Sequence, residues 1–417
     1  MTSPSPHRRR AIAADAGALM VGSVVNGLAA YVFVAIGTRT YGADIFAPVS
    51  VLWTFWALSV AVFTFPIQHW IIRTVEVDGN EGSIRVAVAK LAAINLSVSL
   101  AMAVIAGVWR STLFGSGSWL WPTLVLAVGL GSAIGGYLRG VLASRGRFAA
   151  TGAAIGSENL IRLVAAIVVV ASGKSIAWYG AALAVGPLVT LAWPSVLRLG
   201  SEAAHAGHRV GEFLGGLAGG VLIAQVALNA GPAVLAALGG APAEVTGIFA
   251  TLALFRAPYL VALGLATRTT GPLTAMVVSG DEGRLRTLRK RLVGTGLGGA
   301  VIAATAGWIV GPSLVNLVFG EGVAPEAWVV GAVAGGSALA LIALIEILAL
   351  LARGATASIL IAWTGGLAIA VAILVTPGID PLAAVVTAFV VTEVVALVGM
   401  LAADARLAAQ STRSRTT

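Results

Sequence analysis

Long apolar runs, separated by short polar breaks, follow one another from end to end of the chain. A membrane-spanning helix needs about 20 apolar residues, and by that measure the pattern predicts twelve spans. They lie near 16–38, 46–69, 88–109, 119–139, 153–171, 177–197, 213–236, 248–270, 292–311, 328–351, 357–376 and 382–403. Strands are excluded, because the runs are continuously apolar rather than alternating and far exceed the ~10 residues of a barrel strand. The connections are short, the longest falling near 312–327 on one side and near 271–291 on the other, where 71–87 and 198–212 are also among the longer ones. No catalytic domain fits into any of them.

Composition agrees. Of 417 residues, 58% are hydrophobic and 10% charged, against roughly 25% charged in an ordinary soluble protein. A soluble enzyme and a disordered chain are both excluded. With no cysteine in the chain, neither a disulfide framework nor a thiolate metal site is available.

The net charge of +9 would point to nucleic acid in a soluble protein, but its placement here is topological. Twenty basic residues, from Arg8, Arg9 and Arg10 to Arg406, Arg413 and Arg415, fall on one side of the predicted spans. Only Arg39, Arg110 and Lys174 fall on the other, and Arg162, Arg256 and Arg268 lie within spans. Basic residues collect on the cytoplasmic face, so both termini are expected there, with no nucleic-acid partner. The first span is too long for a cleaved signal sequence and is expected to stay as an anchor.

The halves carry matching fragments. Ile45-Phe46-Ala47 recurs as Ile248-Phe249-Ala250, and Leu142-Ala143-Ser144-Arg145-Gly146 recurs loosely as Leu350-Leu351-Ala352-Arg353-Gly354. Six spans separate each pair, which predicts two parallel copies, residues 1–200 and 201–417, each a six-helix lobe beside a central cavity.

Motifs of soluble enzymes fail on context. Gly294-Thr295-Gly296-Leu297-Gly298-Gly299 fits G-x-G-x-x-G but follows a basic loop rather than a strand. Gly173-Lys174-Ser175 lacks the earlier glycine of a phosphate loop, and His205 and His208 read as a solvated loop. No catalytic residue, metal or cofactor is expected. Glycine pairs four apart, such as Gly136/Gly140, Gly307/Gly311 and Gly331/Gly335, predict close helix packing.

Charges inside spans carry the functional question, since each costs about 2.5–3.5 kcal/mol at mid-bilayer and needs a partner or a wet cavity. Glu158 and Arg162, four apart in the fifth span, fit either a helical ion pair or a cavity role. Arg256, placed two turns into the eighth span before Pro258, and Arg268 near its end suit a phosphate, which a guanidinium binds bidentately. Glu346 and Glu393 are candidates for a coupling proton or sodium ion, or for neutralising an arginine. Asn26 in the first span, with Gln225 and Asn229 on one face of the seventh, are candidates for lining the cavity.

Three segments bear a family resemblance: Arg39-Thr40-Tyr41-Gly42-Ala43-Asp44-Ile45-Phe46, Leu138-Arg139-Gly140 with Arg145-Gly146-Arg147-Phe148, and Glu158-Asn159-Leu160-Ile161-Arg162-Leu163. Together with the layout of spans, the chain resembles the polysaccharide transporters (Wzx-type oligosaccharide flippases) of the multidrug/oligosaccharidyl-lipid/polysaccharide flippase superfamily. The resemblance implies two six-helix lobes in a V, with the first, second, seventh and eighth spans around the cavity. It implies movement of an undecaprenyl-linked saccharide by alternating access, beside other polysaccharide-assembly proteins. Substrate would then meet Arg256, Arg268, Asn26, Gln225 and Asn229. A cation-coupled drug or metabolite antiporter of similar architecture, and a non-transporting membrane scaffold, stand as alternatives.

Overall fold

The computed structural model describes residues 6–78, 81–200, 218–259, 261–262 and 282–414. Among these residues the structure is helical, and nine helices are long and apolar enough to cross a membrane. The protein is a multi-pass membrane protein. It divides into two compact units, Met1–Ala218 and Gly219–Thr417.

In the first unit α1 (Pro6–Tyr41) turns at Gly42 into α2 (Ala43–Ser59), which runs through a π-turn at Val60–Thr64 into α3 (Phe65–Asp78). The widened turn sits just before Pro66, whose missing N–H cannot close an ordinary helical ring; the Phe65 N–H instead reaches back to the Val60 carbonyl. Next come α4 (Gly82–Val108), a short α5 (Arg110–Phe114), α6 (Leu120–Ser144), α7 (Phe148–Ala171) and α8 (Ile176–Ala184). The hub is α6, which packs on α2, α3, α4, α7 and α8, while α1 packs along α7.

The second unit holds α9 (Ala218–Asn229), α10 (Gly231–Ala237), α11 (Pro242–Phe255), α12 (Glu282–Phe319), α13 (Ala327–Ala352), α14 (Thr356–Leu374) and α15 (Pro381–Ser414). Its hub is α13, which packs on α11, α12, α14 and α15. α6 and α13 hold corresponding places, and each is the most buried span of its unit among the nine.

The hubs also end alike. At the end of α6 the Gly146 N–H donates to the Ala143 carbonyl and the Arg147 N–H to Leu142; at the end of α13 Gly354 donates to Leu351 and Ala355 to Leu350. This is the Schellman closure, and it requires the positive φ of 68° at Gly146 and 72° at Gly354. The arginine before each glycine then ties the hub to its neighbours. Arg145 donates to Glu81 from Nε at 2.6 Å and Nη2 at 2.8 Å, and Arg353 donates to Asp404 at 2.5 Å. The fragment shared by residues 142–146 and 350–354 is therefore one device built twice.

Glycines let the helices touch. A Cβ on Gly136 would stand 2.7 Å from the Thr64 carbonyl, and one on Gly307 2.7 Å from the Ala334 Cβ. Gly294–Gly299 lies inside α12, which places the nucleotide-like motif in a continuous helix rather than a loop.

Three predicted spans are not single helices. The sixth (177–197) is α8 followed by 3₁₀ turns over Gly186–Ala192 and Pro194–Leu197, where Pro187 and Pro194 deny the helix its donors. The seventh (213–236) is described from residue 218 and breaks at Ala230, ahead of Gly231-Pro232. The eighth (248–270) starts earlier, at Pro242, and its helix stops at Phe255. Pro258 supplies no N–H for the Leu254 carbonyl. Residues 263–281, with Arg268, and residues 201–217, with His205 and His208, lie outside the described residues.

Candidate functional site

Each unit contains a polar cluster. In the second unit it grows from the break after α11. Arg256 caps that helix rather than sitting two turns inside it, and from Nη1 donates to the Leu228 carbonyl at 3.0 Å and to the Asn229 Oδ1 at 2.6 Å. The Asn229 amide nitrogen donates to Gln225, to its carbonyl at 2.7 Å and its Oε1 at 3.2 Å. The Gln225 amide in turn donates to the Tyr259 hydroxyl at 3.0 Å. Gln225 and Asn229 share a face because they are four apart on α9, and the stop at Asn229 brings that face against the end of α11.

Glu393 is another polar group buried in the second unit. It lies twelve residues into α15, about 18 Å from its start at a rise of 1.5 Å per residue, at the middle of the apolar span Pro381–Leu407. It is fully buried, and neither carboxylate oxygen has a hydrogen-bond partner among the described residues. A buried acid without donors is a costly arrangement, so a proton or a small cation is what would neutralise it here.

Glu346 has different surroundings. Near the end of α13, fully buried, it receives two hydrogen bonds from the Nε of Arg289, at 2.7 and 2.8 Å. Arg289 also pairs with Asp404, which pairs with Arg353. Two acids and two arginines thus close the basic end of the second unit.

In the first unit Glu158 and Arg162 meet at 2.6 Å on α7, and Arg139 from α6 pairs with the other Glu158 oxygen. Arg162 is saturated in addition by the Asn159 Oδ1 at 2.5 Å and the Leu183 carbonyl at 2.9 Å, and lies 4.6 Å from the Trp56 ring centre. Asn159 donates its amide to the Asn26 carbonyl at 3.1 Å, joining α7 to α1. Asn26 thereby enters the cluster through its backbone.

Sequence reasoning missed Tyr259, Arg139, Arg289 and Asp404. Tyr259 follows Arg256 by three positions across a proline, where helical spacing is interrupted. Arg139 and Arg289 entered the sequence reading as basic residues on the cytoplasmic side, Arg139 also within a resemblance segment, and Asp404 did not enter it; nothing in spacing links positions that far apart. Among the described residues no three His, Asp or Glu side chains gather as a metal site.

No family model and no curated protein matches the sequence. Solved transporter structures match the fold over nearly the whole chain. An inward-facing multidrug resistance MATE family transporter of the MOP superfamily has a TM-score of 0.64 at 15% identity, over 94% of this chain and 96% of that one. A mutant of the MATE transporter VcmN of Vibrio cholerae has a TM-score of 0.54 at 14% identity, over 96% and 98%. A MOP superfamily transporter from Pyrococcus furiosus, described as having a binding pocket of reverse polarity that suggests a different function, has a TM-score of 0.54 at 15% identity, over 96% of each chain. An outward-facing MATE structure also matches. At these identities the likeness is one of fold.

Proposed function

We propose that this protein is a cation-coupled exporter working by alternating access, in which a proton or sodium ion is exchanged at Glu393 for a small organic molecule. The observation that carries the reading is the carboxyl of Glu393, buried at the middle of an apolar span and without a hydrogen-bond partner among the described residues. An acid in that position does one of two things: it holds its counter-cation, or it is rehydrated when the protein changes conformation. Exchange between those states is what couples a cation gradient to movement of the units. The polar chain from Tyr259 through Gln225 and Asn229 to Arg256 belongs to the same unit and would offer hydrogen bonds to the transported molecule. Matches to both inward- and outward-facing transporters support the two-state cycle. In this reading both termini are cytoplasmic in a bacterial inner membrane, and residues 1–200 and 201–417 act as the two moving lobes.

A second reading is export of a lipid-linked saccharide. It is supported by the Arg39–Phe46 and Glu158–Leu163 segments that resemble polysaccharide flippases, with Arg256 and Arg268 holding the phosphate. One comparison separates the two. Everted membrane vesicles from cells expressing the protein, given a panel of lipophilic cations under a proton gradient, are expected to accumulate at least one of them. If none moves, while depletion of the protein leaves lipid-linked saccharide at the cytoplasmic leaflet, the second reading replaces the first.

A further inference from the structure

The first unit contains a cavity of about 990 Å³ that the transport cluster does not use. It owes its existence to the failed sixth helix. Once Pro187 and Pro194 reduce residues 186–197 to narrow 3₁₀ turns, that segment no longer fills the space beside α4 and α6. The walls are helical stripes. Arg85, Val88, Ala92 and Asn95 follow one face of α4, and Leu130, Ala133, Ile134 and Tyr137 one face of α6. The Tyr137 hydroxyl donates to the Val196 carbonyl at 2.9 Å and fixes the third wall.

The polar groups are at the two ends. Arg85 and Arg198 line the cavity together, at the end where the Gly200 N–H donates to Glu81 at 3.0 Å. Both guanidinium groups are exposed, and neither has an ion-pair partner among the described residues. Asn95 is buried ten residues further along α4, about 15 Å deeper. The Thr190 hydroxyl, also on the lining, is buried without a partner among the described residues.

We propose that this cavity binds one anionic phospholipid, its phosphate between Arg85 and Arg198 and an acyl chain running down the apolar shaft toward Asn95. Charge selects the head: two uncommitted arginines recognise phosphate. Length selects the tail, because about 15 Å is half of the ~30 Å hydrocarbon core and so the depth of one leaflet. Ile134 and Leu197, both exposed on the lining, open the shaft to the bilayer. A free phosphate ion would have no use for the shaft, and a zwitterionic lipid would leave the arginines half matched. The bound lipid replaces the missing helix as packing for residues 186–199.

The full-length protein, purified from nanodiscs of mixed phosphatidylglycerol and phosphatidylcholine, is examined by native mass spectrometry for retained lipid. The wild type is expected to keep one phosphatidylglycerol, with affinity at least tenfold above that for phosphatidylcholine. The double variant Arg85→Gln/Arg198→Gln is expected to lose that preference. Ile134→Trp, which plugs the shaft and leaves both arginines, is expected to lose the lipid altogether. Equal retention of the two lipids, an unchanged preference in the double variant, or displacement of the lipid by inorganic phosphate would each overturn the proposal.

Discussion

Glu158 divides its two oxygens between Arg139 and Arg162, so its removal leaves two buried cations facing one another. Breaking a buried pair from one side typically costs about 3–5 kcal/mol. Glu158→Gln is therefore expected to lower the melting temperature of the purified protein more than Arg139→Gln, which leaves the Glu158–Arg162 pair intact. Equal losses would mean that Arg139 contributes more than its charge. The four-residue spacing of Glu158 and Arg162 was legible because it is local to one helix; Arg139 comes from another helix and left no signal. The same holds for Glu81, whose carboxyl is held below the usual glutamate value chiefly by its hydrogen bonds from Arg145. An acid with a depressed folded pKa stabilises the protein above its unfolded value, near 4.5, and that contribution is lost as pH falls through the folded value. Melting temperatures of wild type and Glu81→Gln are expected to differ at pH 7 and converge as pH falls below about 4.5. A constant difference would show that the latch does not titrate.

Among elements, the long uninterrupted spans were readable from hydropathy, and the three that failed share one cause. A sliding apolar window does not register that Pro187, Pro194, Pro232 and Pro258 withdraw donors, because proline and its neighbours here are as apolar as any helix. Glycines show the converse, since their role depends on what stands opposite. Gly136 meets the Thr64 carbonyl, whereas Gly298 has nothing within 4 Å of where a Cβ would be. Gly136→Ala is expected to destabilise by about 1–3 kcal/mol through overpacking. Gly298→Ala is expected to be neutral or to stabilise by up to about 1 kcal/mol, the gain of alanine in a helix interior. Thermal unfolding of the two variants checks both signs, and a damaging Gly298→Ala would reopen the question of a ligand at that motif.

For the whole molecule, hydropathy made the multi-span helical fold legible, and solved MOP superfamily structures share that fold. Spacing did not say which buried acid is free to work. Glu346 and Glu393 look alike in sequence, each a lone acid in an apolar run. The structure gives Glu346 two bonds from Arg289 and leaves Glu393 with none among the described residues. Glu346→Gln is thus expected to cost stability, while Glu393→Gln keeps the fold and loses coupling. The decisive experiment is cation-driven transport in proteoliposomes, comparing wild type, Glu346→Gln and Glu393→Gln under an imposed proton or sodium gradient. The account predicts that wild type concentrates substrate against its gradient, and that Glu393→Gln, although folded and binding substrate, does not respond to the cation gradient. Gradient-driven accumulation by Glu393→Gln at the wild-type rate would contradict it.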